Sequence, residues 1–199
     1  MSRTLQIDPV TLFPTRLWQV RLGALAPRFG EWVSAVLAQR AASPAPAGRS
    51  NRMGWNSADK AVLDQPIFGD LHQGLKIACD YAFREMGVPQ PAYSLESWIN
   101  IHDRGGFNFP HIHDGCLLSG VFYLQVPPGS GSIVFHDPRF GVINSPFKGA
   151  AANGHSDVQM TPEAGLAVLF PNWLEHHVEP HGNDIPRIAI SFNALAMSF

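Results

Sequence analysis

The chain has 199 residues, enough for one domain with a substantial core but too few for two comfortable ones. Its 14 basic and 16 acidic residues give a net charge of -2 without any basic run or stripe, which argues against a nucleic-acid partner. No apolar stretch approaches the roughly 20 residues of a membrane-spanning helix, so we expect no membrane partner.

The first residues and the cysteines bear on the compartment. Met1 to Thr15 lacks the basic start and apolar block of a signal peptide. The two cysteines, Cys79 and Cys116, form no motif, so we expect both to be buried thiols in a reduced compartment. The sequence therefore predicts a cytoplasmic protein.

The first part of the chain has a helical pattern. Apolar residues repeat at helical spacing over 29–37 and again over 68–82, and the second stripe ends near Gly87 and Pro89. Prolines, serines and a glycine break the pattern over 42–50. We expect residues 1–90 to be mainly helical and to support the remainder of the chain.

From residue 91 onward the pattern alternates, as in strands. The segments bounded by glycine, proline or asparagine are 93–102, 117–126, 132–136, 165–170 and 187–195. Short strands without helices between them predict an antiparallel barrel or sandwich over 91–199, within a single domain that spans 1–199. The stretch 137–162 reads as a long loop of the kind that forms lids or binding loops.

Two histidines lie two residues apart in His111-Ile112-His113. Side chains alternate along an extended segment, so both imidazoles point to one side and can reach one metal ion, whereas Asp114 points to the other. Such a pair alone is weak, because surface histidines also occur at this spacing.

A third histidine comes from a distant part of the chain. His176 follows a strand and a proline turn, and alternation sends its neighbour His177 to the opposite face. His181 lies in a predicted turn and is not expected to take part. Three ligands on one face of an octahedral ion leave three positions open, which a redox metal such as iron uses for a chelating substrate and dioxygen.

Arg187 opens the last predicted strand. A guanidinium there can clasp a carboxylate through two parallel hydrogen bonds, although a surface arginine capping the loop at Asp184 would have the same sequence. Its position after the proline-turn-histidine element favours carboxylate binding.

These residues resemble a known family, the 2-oxoglutarate- and iron(II)-dependent oxygenases related to prolyl hydroxylases. The segments that carry the resemblance are 12–15, 54–57, 108–113, 118–124, 135–139, 170–171, 176–180 and 187–193. The resemblance implies a mainly β fold, a double-stranded β-helix (jelly-roll, cupin-like) barrel with helices packed outside, and the cofactors Fe(II) and 2-oxoglutarate.

The resemblance also implies roles for single residues. His111 and His176 match the first and last ligands of the H-x-D…H triad, and Arg187 matches the residue that binds the distal carboxylate of 2-oxoglutarate. Tyr123 matches a tyrosine that donates its hydroxyl to the same cosubstrate. Alternation adds two candidates for cosubstrate binding, Asn193 and Asn100. Asn193 shares a strand face with Arg187, and Asn100 faces the pocket together with His102. Packing is an equally good explanation for Asn100 and His102.

The chain departs from the family at His113, where prolyl hydroxylases have aspartate. A neutral imidazole in place of a carboxylate raises the charge of the iron site by one and still binds iron. A bulge at Gly115 would let Asp114 ligate instead, which we rank second.

We expect an oxygenase that oxidises a C–H bond of a small-molecule or peptide substrate. The alternatives are a three-histidine metal dioxygenase that needs no 2-oxoglutarate, and a non-catalytic jelly-roll module whose metal has a fourth protein ligand such as His102, His136 or His177. A homodimer through the N-terminal helices is a further expectation.

Overall fold

The computed structural model of the protein describes residues 6–89, 91–147, 154 and 156–197. Within these residues, two helices and nine strands form the regular part. In chain order they are β1 Trp18–Arg21, α1 Phe29–Ala42, β2 Asn51–Asn56, α2 Gly69–Glu85, β3 Tyr93–His111, β4 Leu118–Gln125, β5 Ile133–Phe135, β6 Val158–Met160, β7 Leu166–Phe170, β8 His176–Val178 and β9 Arg187–Ala196. Short 3-10 turns connect several of them.

The strands form one antiparallel sheet curled into a half-barrel, as in a double-stranded β-helix. Hydrogen-bonded neighbours follow the order β1-β7-β4-β9-β3-β8-β5-β6, and β2 pairs with the free edge of β3. The long strand β3 pairs with β9 over its first half and with β8 near its end. The curl therefore brings the end of β3 close to strands from the C-terminal third of the chain.

Both helices pack on the outer face of this sheet. α1 buries Trp32 and Val36, and α2 buries a stripe from Leu71 to Phe83. They cover outward-pointing side chains of the central strands, such as Ile99, Phe122 and Ile190, and together form the main core. The predicted helical stripes are thus confirmed as core packing except at Leu37, which is exposed. Cys79 and Cys116 are buried free thiols, as expected.

The sequence reading missed parts of the sheet. β1 and β2 lie within the stretch expected to be mainly helical, β3 runs nine residues beyond its predicted end, and β6 lies within the predicted loop. The sequence does not predict β2 because this strand contains Gly54, and glycine weakens a strand. The glycine is needed there, since a Cβ at residue 54 would lie 2.5 Å from the Ile101 carbonyl oxygen.

Within the described residues, no helix combines the length and apolarity that crossing a bilayer requires.

Candidate metal and cosubstrate site

Three histidines converge at the open end of the half-barrel. One ligand nitrogen from each of His111, His113 and His176 lies within 4.8 Å of the others. His111 is the last residue of β3 and His176 the first of β8, and the two are direct partners in the antiparallel ladder. Strand register therefore joins histidines that are 65 positions apart in sequence.

The rings of His111 and His176 are oriented by their own backbone. Each donates its Nδ1–H to the carbonyl oxygen two residues earlier: His111 to Phe109 at 2.6 Å and His176 to Leu174 at 3.0 Å. Because a carbonyl only accepts, Nδ1 carries the proton in both rings and Nε2 keeps its lone pair. Metal-bound histidines are commonly held in this way by a second contact.

His113 lies just beyond β3 and is held by other contacts. Asn172, in the turn before β8, accepts the His113 backbone N–H at 2.9 Å and donates its side-chain amide to the His113 carbonyl at 3.2 Å. The His113 ring stacks on Trp98 and lies parallel to the His176 ring, with centroids 5.2 Å apart. Asn172 therefore holds the His113 backbone, and the ring itself makes a hydrogen bond with the Asn193 side chain instead of a local carbonyl.

All three imidazoles are neutral in this setting. Burial, reinforced by the neighbouring His111, lowers the pKa of His113 to about 4. Burial likewise lowers the pKa of His176 to about 3 and shifts that of His111 downward. Since a metal binds the unprotonated imidazole, these surroundings favour the ligand form.

The other candidate ligands lie elsewhere. His177 points to the opposite face of β8, as alternation predicted, and its Nδ1 lies 2.9 Å from His136 Nε2. Asp114 is exposed and outside the cluster, and His181 is buried against the Ile185 carbonyl. Among the described residues, the group that could hold a metal thus has three members and an open face.

A cavity of about 250 Å³ leads from the histidines into the half-barrel, and Arg187 lines its far end. The Arg187 side chain is 2% exposed, and no carboxylate in the described part of the chain pairs with it. One guanidinium nitrogen, Nη1, donates to His102 Nδ1 at 2.8 Å, while Nε has no partner. Burial lowers the pKa of Arg187, the direction expected for a charge removed from water.

Tyr123 lies beside this arginine at the same end of the cavity. The Arg187 guanidinium carbon is 5.1 Å from the centre of the Tyr123 ring, and the buried Tyr123 hydroxyl lies near the guanidinium without forming a hydrogen bond of good geometry. A buried polar group without a partner costs about 1–3 kcal/mol. A ligand with an acceptor group at this end would satisfy both Tyr123 and Arg187.

The two asparagines divide between the ends of the cavity. Asn100 lines its wall and donates its amide to Ser191 at 2.9 Å. Asn193 lies six residues along β9 from Arg187, roughly 20 Å in an extended strand, and therefore belongs to the metal end. Both ends of its amide are engaged, by Ser119 and by Glu96.

His102, which the sequence offered only as a possible fourth metal ligand, lies outside the histidine cluster and contacts Arg187 instead. Alternation placed it with Asn100 on the pocket face, but nothing in the sequence connected it with Arg187. The connection comes from register, because His102 and Arg187 are direct partners in the β3–β9 ladder. Trp98 and Asn172, which hold His113, were also unassigned as supports.

Comparison with known proteins gives the family. A family model described as "Putative 2OG-Fe(II) oxygenase" matches residues 96–193, the part of the chain that carries the three histidines, Tyr123 and Arg187. No curated protein sequence matches the chain.

Solved structures with this fold are similar to the chain over most of its length. A prolyl-4-hydroxylase from Pseudomonas putida is 15% identical with a TM-score of 0.67, covering 92% of this chain and 94% of its own. The α-ketoglutarate-dependent epimerase SnoN of nogalamycin biosynthesis is 18% identical with a TM-score of 0.66, covering 92% and 77%. HygX from Streptomyces hygroscopicus, solved with nickel, 2-oxoglutarate and hygromycin B, is 13% identical with a TM-score of 0.62, covering 93% and 84%.

The structural neighbours confirm the predicted double-stranded β-helix, and the family match confirms the predicted cofactors, Fe(II) and 2-oxoglutarate. Over residues 96–193, about half of its length, the chain matches the family of 2-oxoglutarate- and iron(II)-dependent oxygenases.

Proposed function

We propose that this oxygenase holds iron(II) through His111, His113 and His176 and binds the distal carboxylate of 2-oxoglutarate through Arg187 and Tyr123. It oxidises a C–H bond of a small-molecule or peptide substrate at the open face of the cluster. The neighbours support this breadth of substrate, since SnoN was solved with nogalamycin RO and a prolyl hydroxylase from Trichoplax adhaerens with a peptide fragment.

The buried guanidinium of Arg187 is the observation that carries the proposal. An arginine keeps its charge in proteins, and burying an unpaired charge costs several kcal/mol. Arg187 has a neutral histidine and a tyrosine beside it but no anion in the described part of the chain. A carboxylate that enters the cavity would supply the missing charge and accept from both Arg187 Nε and the Tyr123 hydroxyl.

The histidine cluster fits iron on the chemistry of its donors. Three neutral imidazoles suit Fe(II), and three protein ligands on one side leave positions for a keto acid and dioxygen. When bound, iron and 2-oxoglutarate supply the oxidising chemistry, in which dioxygen converts the cosubstrate to succinate and carbon dioxide while the substrate is oxidised.

The protein itself contributes position and a dry setting. Phe109 and Leu174 carbonyls fix two of the rings. Asn172 holds the backbone of His113, whose ring stacks on Trp98 and makes a hydrogen bond with Asn193. Apolar walls line the cavity between its two polar ends, formed by Val121, Ala189 and Ile133. Such walls exclude water from the space in which the cosubstrate lies.

The test uses the visible charge-transfer band of a keto acid chelated to iron(II). Iron-loaded protein without oxygen is titrated with 2-oxoglutarate, and oxygen is then admitted and succinate measured. We expect the band with wild type, and a Kd roughly 10- to 100-fold higher with Arg187→Ala, because charged hydrogen bonds contribute about 1.5–3 kcal/mol. Arg84→Ala, on the exposed side of α2, is the control and should bind like wild type.

Two results would overturn the proposal. Fully iron-loaded wild type that gives neither band nor succinate would leave 2-oxoglutarate without a role and favour a three-histidine dioxygenase. Equal affinity of wild type and Arg187→Ala would remove Arg187 from the cosubstrate site.

A further inference from the structure

We propose that His102 is a positioning residue for cosubstrate binding: it holds the Arg187 guanidinium through Nδ1 while leaving its positive charge for the ligand. The inference rests on the proposed role of Arg187 in binding 2-oxoglutarate.

The contact has a defined direction. His102 and Arg187 face each other across the β3–β9 ladder, and Arg187 Nη1 lies 2.8 Å from His102 Nδ1. A guanidinium has only N–H donors, so Nδ1 must accept and must carry the lone pair. His102 is therefore the neutral form with its proton on Nε2, as long as this contact exists.

Neutrality distinguishes His102 from the usual arginine partner. An aspartate or glutamate at this point would pair with Arg187 and cancel the charge that attracts a carboxylate. A neutral acceptor restrains the long, flexible side chain without cancelling that charge. The remaining donors, including the partnerless Nε, stay available to a ligand.

The surroundings keep His102 in this form. Its side chain is 1% exposed, and burial, followed by the positive charge of Arg187, lowers its pKa to about 3. It therefore stays neutral, and a hydrogen-bond acceptor, at any pH near neutrality.

β2 holds the ring from the other side. Gly54 is the partner of His102 in the β2–β3 ladder, and a Cβ at residue 54 would lie 3.1 Å from His102 Cδ2 and 2.8 Å from the Asn51 side-chain oxygen. The absence of a side chain at Gly54 thus leaves space for the imidazole to lie between β2 and Arg187. His102 is fixed between two strands before any ligand enters.

The test compares two keto acids that differ at the far end. 2-Oxoglutarate carries the distal carboxylate and 2-oxobutanoate does not, while both chelate iron(II) through the same keto acid group. The Kd of each is measured from the charge-transfer band without oxygen, using wild type and the variants His102→Leu, His102→Asn and His102→Gln. His72→Leu, on α2 outside the cavity, is the control.

The variants separate the two ring nitrogens. Asparagine places a polar atom near the position of Nδ1, and glutamine places one near that of Nε2. We expect His102→Leu to raise the Kd of 2-oxoglutarate about tenfold, the effect of roughly 1.4 kcal/mol, and to leave that of 2-oxobutanoate unchanged. His102→Asn should restore binding to within about threefold, and His102→Gln should not.

Three outcomes would overturn the inference. One is an equal loss of both keto acids in His102→Leu, which would mean general damage to the site. Another is rescue by glutamine rather than asparagine, which also decides the matter if the leucine variant fails to fold. The third is wild-type behaviour of His102→Leu and His102→Asn while Arg187→Ala still loses 2-oxoglutarate, in which case the proposed function stands without this role. No band in wild type would instead remove the proposed function itself.

Discussion

The two faces of strand β9 have different tasks although their residues alternate. Ile188, Ile190 and Phe192 point outward into the core beneath the helices, where each is completely buried. The inward-pointing residues line the cavity and are Arg187, Ala189, Ser191 and Asn193. β4 shows the same division, with Phe122 outside and Tyr123 inside.

The two faces also differ in how their groups are satisfied. The outer face is apolar, and its contribution to stability follows from the area removed from water. The inner face has buried polar atoms without partners, namely Arg187 Nε, the Tyr123 hydroxyl and His102 Nε2. Stability thus comes mainly from one face, while the proposed ligand site lies on the other, so substitutions on neighbouring residues should have separable effects.

The largest expected effect is on the outer face. Phe192→Ala should lower the free energy of unfolding by about 3–5 kcal/mol, because it leaves a large cavity in the core. Urea unfolding measures the loss, with the exposed Met197→Ala just past the end of the same strand as a control near wild type. The iron affinity of the folded fraction should be unchanged. If Phe192→Ala instead lost iron binding while its free energy of unfolding stayed normal, the outer face could not be the one that mainly determines stability.

On the inner face, His176→Ala should lower iron(II) affinity by about 100-fold or more. Losing a residue that only supports a metal ligand costs about 10- to 100-fold in affinity, and this variant removes the proposed ligand itself. Anaerobic metal titration measures this. The matched control is His177→Ala, one residue along β8 on the opposite face, which should keep wild-type affinity. Equal losses in both variants would show that the strand, not the ligand, had been disturbed.

A smaller effect is expected at Gly120, where a Cβ would lie 2.3 Å from Cζ of the Phe192 ring. Gly120→Ala should cost about 1–3 kcal/mol through overpacking. Because the clash is with one ring, Phe192→Leu should relieve it, and the double variant should be more stable than the sum of the single effects predicts. Additive losses in a double-mutant cycle would place the strain elsewhere.

The smallest effect concerns the charge of the metal site. His113→Asp should retain iron while raising the Kd of 2-oxoglutarate several-fold. The added carboxylate lowers the positive charge of the metal site that attracts an anion, and a screened interaction between two unit charges is about 1 kcal/mol. The charge-transfer titration measures it. 2-Oxobutanoate should weaken as well, unlike in the His102 variants; tighter binding of either acid would refute the charge argument.

The sequence predicted the site where local pattern decides geometry. Alternation correctly placed Asn193 on the same face of β9 as Arg187 and sent His177 away from His176. The two helices were equally readable, because an apolar stripe at helical spacing leaves few other ways to bury it.

The features that escaped prediction depend on register between distant strands. Nothing local indicates that residue 102 faces residue 187, so the partner of Arg187 was unassigned. The same limit applies to β2, a glycine-containing strand that forms because β3 offers it a free edge. Asn193 shares a face of β9 with Arg187, as predicted. Alternation does not tell how far apart the two residues lie, and the six-residue separation along the strand places Asn193 at the metal end.

The proposed role of Arg187 would make the stability of the folded chain depend on the supply of cosubstrate. A ligand that binds the folded chain alone stabilises it by RT ln(1 + [L]/Kd), so each tenfold excess of 2-oxoglutarate over its Kd adds about 1.4 kcal/mol against unfolding. Other small dicarboxylates that reach the guanidinium, including the succinate left after turnover, would protect the protein in the same way. Without such acids the folded chain would lack this added protection against unfolding.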